Sequence, residues 1–333
     1  MDHGRSGKGG GVSRGWQGVV PWVFGFALLA AALLLAYLGE AWADDDAGVL
    51  VTQDLETMEE ADHGGRRDAG KSACSATSEG SYVAPVTVSK ARMAAWREAA
   101  TLSYDTGRLG FDMGYTGTWY DFSRAGRLPF GGQAPFDALH ALEAGLTVRG
   151  GLWGSIGGFV GVRGNLGFER DFAGALAGSI LAGASVPLGE YWLLTVGGGV
   201  SVSKITTRFF PLATVRYASP ALPDLSVDLG FPRTEVAWRG GKWWGLRVTG
   251  AMDGGEYKLA EDNPVAGGGF VSLLEARVGT WLDLWPYQGL SVSLGALYAL
   301  PGTMTFYRES GSRLKEYDTG GGPGGAARLR FTF

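Results

Sequence analysis

The sequence predicts an all-β fold, a transmembrane antiparallel up-and-down β-barrel of about twelve strands, within a range of ten to fourteen. Three observations predict it. From about residue 109 onward, apolar and polar residues alternate with period two in segments of about ten or more residues, which is long for a soluble sheet. Glycine accounts for 57 of the 333 residues and lies inside these segments, which disfavours long helices. The chain also begins with an export signal and ends on a phenylalanine.

The N-terminus has the layout of a secretory signal peptide. Three basic residues precede the apolar run 19–38, and the small residues Ala41 and Ala43 stand just before an acidic cluster. We therefore predict a signal peptide over residues 1–43, cleaved after Ala43. The alternative is an uncleaved membrane helix, because the run is long enough to span a bilayer. In both cases we expect the rest of the chain to be exported.

Residues 44–96 are acidic at first and then mixed and small, without sustained periodicity. This composition predicts a flexible periplasmic lead. The single cysteine, Cys74, excludes a disulfide within the chain and is expected to be an inert thiol.

The barrel is predicted over residues 97–333. The preferred scheme starts the strands near residue 110 and places Pro232 in a tight external turn, since proline cannot donate to a β-ladder. Residues 97–106 also look strand-like. Including them while running one strand through Pro232 again gives about twelve strands.

Short and long connections alternate along the chain. Bacterial barrels have short periplasmic turns and longer external loops, and their last strand descends to the periplasm. The short connections are 149–152, 186–190, 218–223, 239–242 and 284–289, and the long polar ones are 123–137, 164–173, 254–268 and 301–324.

A soluble β-sandwich would also show period-two alternation, so the periodicity alone does not decide between the two folds. Aromatic residues near predicted strand ends favour a membrane barrel, in which they form belts at both interfaces. These residues are Trp119, Tyr191, Trp192, Trp243, Trp244, Trp281, Trp285 and Tyr287.

The C-terminal sequence ARLRFTF places Leu329, Phe331 and Phe333 on alternate positions. It resembles the signal by which Gram-negative outer-membrane β-barrel proteins engage their insertion machinery. Residues 231–259, FPRTEVAWRGGKWWGLRVTGAMDGGEYKL, also resemble a family of such barrels that bears only a domain-of-unknown-function label. The resemblance implies an outer-membrane location, lipid as surroundings and the barrel-assembly machinery as a partner of the C-terminal strand. It implies no catalytic residues.

Charged residues are expensive on the lipid face of a barrel, about 2–4 kcal/mol for Arg or Lys at the midplane. The period-two alternation within each strand therefore assigns a set of charged residues to the lumen face. An arginine excess there would favour anions; alternatively, the arginines pair with glutamates and tyrosines and fill a narrow barrel. The predicted lumen residues are Glu143, Arg149, Arg163, Arg216, Glu235, Arg247, Glu275, Arg277, Arg328 and Arg330.

Catalytic, cofactor-binding and metal-binding residues are not predicted. His140 is the one histidine of the predicted barrel and shares the lipid-side phase of Leu142. A catalytic histidine needs a nucleophile and an orienting carboxylate, and no motif links His140 to candidates such as Asp137. The net charge of -4 and the lack of a basic stripe argue against nucleic acid as a partner.

The sequence thus predicts a bacterial outer-membrane protein that acts as a passive small-solute pore or a transport-related barrel with a side-chain-lined lumen. One alternative is a structural or surface-interaction barrel with a plugged lumen, whose external loops meet partners. A lipid-modifying enzyme, a hydrolase or acyltransferase that depends on His140, is the third reading.

Overall fold

The computed structural model describes residues 73–124, 127, 130 and 132–333. The regular elements of this part of the chain are β-strands, and none of these residues belongs to a helix long and apolar enough to cross a membrane. The predicted signal peptide, residues 1–43, and residues 44–72 of the predicted lead lie outside the described residues.

Sixteen strands follow one another along the chain. Their bounds are β1 (Ala73–Val88), β2 (Ala91–Asp105), β3 (Leu109–Ser123), β4 (Ala138–Trp153), β5 (Ile156–Phe168), β6 (Leu176–Pro187), β7 (Trp192–Val202), β8 (Thr207–Ser219), β9 (Leu222–Phe231), β10 (Arg233–Trp238), β11 (Trp244–Lys258), β12 (Phe270–Tyr287), β13 (Leu290–Ala299), β14 (Gly302–Tyr307), β15 (Arg313–Thr319) and β16 (Gly322–Thr332).

The strands form one antiparallel sheet that closes on itself. Each strand from β1 to β12 pairs with the next one, β13 pairs with β16, and β16 pairs with β1 along nine residues of its length. β13 and β14 lie end to end along β12, and β15 and β16 lie end to end beside them. The barrel therefore has fourteen strand positions, and the closed sheet satisfies its backbone polar groups internally.

The predicted all-β closed antiparallel barrel is confirmed, with fourteen strands rather than about twelve. The two additional strands come from residues 73–105, so the prediction of a flexible lead is wrong for residues 73–96. The outward face of β1 carries the small residues Ala76, Ser78 and Gly80, which leave little period-two contrast in hydrophobicity. Pro232 lies between β9 and β10, in agreement with a tight turn.

The two ends of the barrel differ in the length of their connections. The first residue of β1 and the last of β16 lie at one end together with the short turns, which identifies this end as periplasmic. The opposite, external end carries the long loops 124–137 and 259–269. Residues 301–324 were predicted to form another long loop, but most of them belong to β14, β15 and β16, and only 308–312 connect β14 to β15.

Side chains alternate between an apolar outer face and a mainly polar inner face. On β4, Leu142 and Val148 are 42% and 53% exposed, whereas Thr147 and Arg149 are buried. The exposed large hydrophobic residues occur around the whole sheet, as expected where the solvent outside is lipid.

The external end of the barrel is narrower than the rest. β5 and β11 are separated by β6 to β10 in the sheet, yet Phe168 pairs directly with Lys258 at their outer ends. The Glu169 backbone N–H donates to the Lys258 carbonyl at 2.8 Å. Gly167 allows this approach, because a Cβ atom there would collide with the backbone oxygen of Glu256.

Candidate functional site: the barrel lumen

The predicted lumen residues all lie on the inner, buried phase of their strands. Four of them, Arg149, Glu235, Arg247 and Arg330, are buried, and the others are half-buried.

Near the periplasmic end, Arg247 forms the most buried ion pair of the lumen wall. Its Nε and Nη2 atoms donate to the two oxygens of Asp283 at 2.9 and 3.0 Å. Glu235 lies 3.6 Å from Nη1, and the guanidinium group stacks 5.2 Å from the Trp281 ring. Trp281 was predicted to belong to an interfacial belt; the structure instead buries it on the inner face, where its Nε1 donates to Thr249 at 3.0 Å.

The other predicted arginines also meet acidic or polar side chains of the inner wall. The shortest N–O distances are 2.7 Å for Arg328 and Glu79, 2.8 Å for Arg149 and Asp105, 2.9 Å for Arg216 and Asp228, 3.2 Å for Arg163 and Asp112, and 3.3 Å for Arg330 and Ser75. Glu143 accepts from Asn165 at 3.3 Å. The arginine excess of the prediction is therefore offset by neighbouring carboxylates.

An ion pair with a long span joins two strands that are far apart in the sheet. Arg97 of β2 contacts Asp253 of β11, and four strand positions separate these strands around the sheet. Arg277 also lies 3.5 Å from Asp253 and donates to Glu275 at 2.6 Å. We call Arg97 and Asp253 the crossing pair, because their contact bridges two walls of the lumen that are not neighbours in the sheet.

The crossing pair lies between two cavities and lines both. The larger cavity has a volume of about 260 Å³ and a charged wall that includes Glu79, Arg163 and Arg328. The smaller cavity, about 60 Å³, is lined by Val83, Met93 and other mostly apolar residues nearer the external end. The lumen therefore holds polar space that is interrupted by an ion pair.

A hydrophobic cluster fills the external end of the lumen; we call it the outer plug. Its aromatic rings meet edge to face, with centroids 4.8 Å apart for Phe130 and Tyr317 and 5.0 Å apart for Tyr120 and Phe136. Two of the loops supply part of the plug, and strand residues supply the rest. The buried members are Ala91, Phe130, Phe136, Leu139, Leu259, Ala266, Val271, Met304 and Phe306.

Asn263 ties the loops of the outer plug together. Its Nδ2 donates to the Pro135 carbonyl at 2.5 Å and to Glu169 at 2.9 Å, and its Oδ1 accepts from the backbone N–H groups of Val265 and Ala266 at 3.0 and 3.2 Å. A single buried side chain thus links loop 259–269 to loop 124–137 and to the residue that follows β5.

His140 lies on the outer face near the external end of β4, on the predicted lipid-side phase. Its Nδ1 is 2.8 Å from the hydroxyl of Tyr115, and its other contacts are aromatic rings. Among the described residues, no serine or carboxylate hydrogen bonds to it, and no group of three His, Cys, Asp or Glu side chains is placed to hold a metal ion.

Both residues of the crossing pair and most of the acidic partners were not predicted from the sequence. Asp253 and Asp283 share the strand phase of Arg247 and Arg277, so parity alone could have identified them. Arg97 lies in a stretch of uncertain assignment, and Glu79 lies in the segment assigned to the lead.

The residues of the predicted insertion signal lie on the last strand, which closes the barrel against β1. Leu329, Phe331 and Phe333 are all exposed on the outer face, and the Phe333 N–H donates to the Cys74 carbonyl at 2.9 Å. The end of the chain therefore presents an apolar outer face at the periplasmic end.

No protein-family model matches the sequence, and no curated protein matches it. The chain is similar in structure to an outer-membrane channel from Pseudomonas putida F1, with 11% identity, coverage of 80% of this chain and 97% of that one, and a TM-score of 0.38. It is similar to the TodX monoaromatic hydrocarbon channel in a mutant form, with 10% identity, 80% and 91% coverage and a TM-score of 0.34. It is also similar to Neisserial surface protein A, with 11% identity, coverage of 79% of this chain and 97% of that one, and a TM-score of 0.23. The even-stranded closed barrel with its apolar outer face is that of a bacterial outer-membrane protein.

Proposed function

We propose that this chain is a gated small-solute pore of the outer membrane. The observation that carries the proposal is that the charged cavity of the lumen is closed outward partly by loop residues, Phe130, Phe136 and Leu259. Loops can rearrange without breaking the strand ladders that hold a barrel together, and their local opening free energies are lower than those of a paired sheet. Movement of the plug would join the cavity to the exterior.

The chemistry of the inner wall supports passage of small polar solutes. Arginine and carboxylate side chains alternate around the larger cavity, and the wall also carries hydroxyl groups such as those of Thr77 and Thr101. Such a wall replaces part of the hydration of a polar solute without a strong net field.

Planar-bilayer recording of the purified chain tests the proposal. We expect rare, brief openings for the wild-type barrel, because the outer plug is packed and hydrogen bonded. Absence of current from both the wild type and variants with a weakened plug would exclude a pore.

The second candidate is a structural or surface-interaction barrel with a permanently plugged lumen. The continuous pairing of the inner arginines with carboxylates favours it, because such side chains fill space as well as line a path. This function would be favoured by a plug-weakened variant that carries no current but still shows the heat-dependent gel migration of a folded barrel.

If the barrel is a pore, the two residues of the crossing pair should have opposite effects on its ion selectivity. In a plug-weakened background, Asp253→Asn leaves Arg97 and Arg277 without their shared carboxylate, so the permeability ratio should shift toward anions. Arg97→Gln should shift it toward cations. Reversal potentials in a KCl gradient measure both, and shifts in the same direction would show that these side chains do not face the permeation path.

We further propose that the apolar outer face at the C-terminal end of the chain engages the barrel-assembly machinery. Phe333→Ser should lower the amount of folded barrel in the outer membrane several-fold, as measured by heat-dependent gel migration of membrane fractions. Phe209→Ser is the matched control, because Phe209 is 84% exposed on the outer face but lies far from the C-terminus in the chain. Equal losses in both variants would indicate a general need for lipid-facing aromatics.

A further inference from the structure

Both signs of charge occur around the larger cavity of the lumen, but they are unequally distributed along its wall. Carboxylates prevail where β1 to β4 form the wall, and arginines prevail where β10 to β16 form it. We call the first group the acidic arc; it consists of Glu79, Asp112 and Glu143. We call the second group the basic arc; it consists of Arg233, Arg277 and Arg328. The cavity therefore has a negative and a positive side.

The crossing pair accounts for the minority charge of each side. Arg97 is a cation on β2, within the acidic side, and Asp253 is an anion on β11, within the basic side. These two groups contact each other, so each offsets the other and leaves the sign of both arcs unchanged. Arg163 of β5 borders the acidic arc, where it lies 3.2 Å from Asp112 and 3.9 Å from Glu143. One guanidinium group there is shared by two carboxylates.

Two arginines of the basic arc have carboxylate partners that are not part of the cavity wall. Glu235 lies 3.8 Å from Arg233, and Glu275 accepts from Arg277 at 2.6 Å. Neither glutamate is among the residues that line the larger cavity, whereas both arginines are. A solute in the cavity therefore meets the guanidinium groups rather than these two carboxylates.

The crossing pair also limits the distance between the two sides. Because Arg97 and Asp253 touch, the walls at this level are no farther apart than these two side chains can reach together. An apolar cavity of about 150 Å³ is large enough to hold benzene. The larger cavity, at about 260 Å³, thus has room for a solute of about six to ten non-hydrogen atoms. Such a solute can approach both arcs at once.

We infer that the larger cavity selects small zwitterionic solutes of the amino-acid type. The ammonium group of the solute points to the acidic arc, and its carboxylate points to the basic arc, where arginine donors form charge-assisted hydrogen bonds. Charged groups lose hydration in a narrow lumen, and wall charges of the opposite sign replace it. A zwitterion regains this interaction at both ends, an ion with a single charge at one end and a neutral solute at neither. The inference rests on the proposed pore and names its substrate class.

Uptake of small solutes into proteoliposomes tests the inference. The vesicles contain the full chain with Asn263→Ala, which weakens the outer plug. The solutes are alanine, lactate, alaninamide and lactamide, which have nearly the same size and carry both charges, the carboxylate alone, the ammonium alone and neither charge. Uptake of each labelled solute is measured at zero membrane potential in slightly acidic buffer, and uptake by protein-free vesicles is subtracted. We expect alanine to enter several-fold faster than each of the other three.

Two charge-removing variants in the same background assign the ends of the solute to the arcs. Glu143→Gln should lower the uptake of alanine and alaninamide several-fold and leave lactate and lactamide unchanged. Arg277→Gln should lower the uptake of alanine and lactate and leave alaninamide and lactamide unchanged. Glu190→Gln is the matched control, because Glu190 is exposed in the turn between β6 and β7 and does not line the cavity. It should leave the uptake of all four solutes unchanged.

Equal entry of the four solutes would overturn the inference and leave the pore proposal intact. Faster entry of lactate than of alanine would also overturn it, because the lumen would then select anions. The same holds if Glu143→Gln and Glu190→Gln have equal effects. Exclusion of all four solutes by a folded Asn263→Ala barrel would contradict the pore itself and the inference with it. Heat-dependent gel migration establishes for every variant that the barrel is folded.

Discussion

Replacing Asn263 with alanine is expected to raise the open probability of the barrel about ten- to a hundredfold in planar bilayers. The substitution removes the donor to Pro135 and Glu169 and the acceptor of the Val265 and Ala266 N–H groups. Leaving buried polar groups without partners costs about 1–3 kcal/mol, and each 1.4 kcal/mol changes an equilibrium about tenfold. This cost applies to the closed state only, because water satisfies the same groups once the loops have moved.

Asp262→Asn is the control for this variant. Asp262 is the neighbouring residue in the same loop, and its ion pair with Arg170 is exposed, with both side chains more than 60% accessible. Exposed pairs contribute about 0–1 kcal/mol, so the open probability should stay near that of the wild type. If Asn263→Ala and Asp262→Asn behave alike, the outer plug does not control access to the lumen.

The fold was largely predictable because alternation with period two follows directly from the geometry of a strand between lipid and lumen. β4 illustrates this: Leu142 and Leu146 face outward, and Glu143 and Arg149 face inward, as the parity predicts. The same reasoning failed for β1, since its outer face of Ala76, Ser78 and Gly80 carries too little hydrophobic contrast. The position of β1 follows instead from its pairing with β2 and β16, which the alternation within β1 does not reveal.

The candidate site was predictable only as a set of inward charges. Which charges meet depends on the closure of the sheet, because Arg97 and Asp253 are 156 residues apart in the chain and come together only across the lumen. The outer plug has the same origin: Phe130 and Phe306 lie in distant segments whose contact, 5.4 Å between ring centroids, follows from loops folding into the barrel. Local patterns in the sequence contain no information on such contacts.

The pairing of β5 with β11 links the architecture to the proposed gate. It narrows the external end, so that a plug of moderate size can close the lumen. Glu169 follows β5 directly and accepts from both the Ala260 N–H and Asn263, which places the loop contacts beside the narrow point. The narrow external end and the loop contacts of the outer plug therefore lie at the same level of the barrel.

Replacing Arg247 with alanine is expected to destabilise the barrel more than any other single change in the lumen wall. The Arg247 side chain is 4% exposed, and those of Asp283 and Glu235 are each 7% exposed. Removing the shared cation takes the guanidinium away from two buried carboxylates at once, and of the two only Glu235 has a second arginine, Arg233 at 3.8 Å, among the ion pairs described above and here. Breaking a buried pair in this way costs about 3–5 kcal/mol of unfolding free energy.

Urea unfolding in lipid vesicles, followed by tryptophan fluorescence and gel migration, measures the loss. Arg170→Ala is the matched control, since it breaks an exposed arginine–aspartate pair and should cost at most about 1 kcal/mol. Arg247→Lys should recover only part of the stability, because a lysine lacks the two separate, coplanar nitrogens with which the guanidinium donates to both oxygens of Asp283.

A triple variant separates the loss of attraction from the cost of keeping two negative charges buried. Arg247→Met combined with Asp283→Asn and Glu235→Gln removes the cation and both buried negative charges, and it should be more stable than Arg247→Ala alone. A loss below about 1 kcal/mol for Arg247→Ala would mean that water hydrates these carboxylates in the folded barrel. The periplasmic part of the lumen would then be open to solvent, and the ion pairs would line an aqueous path rather than fill the barrel.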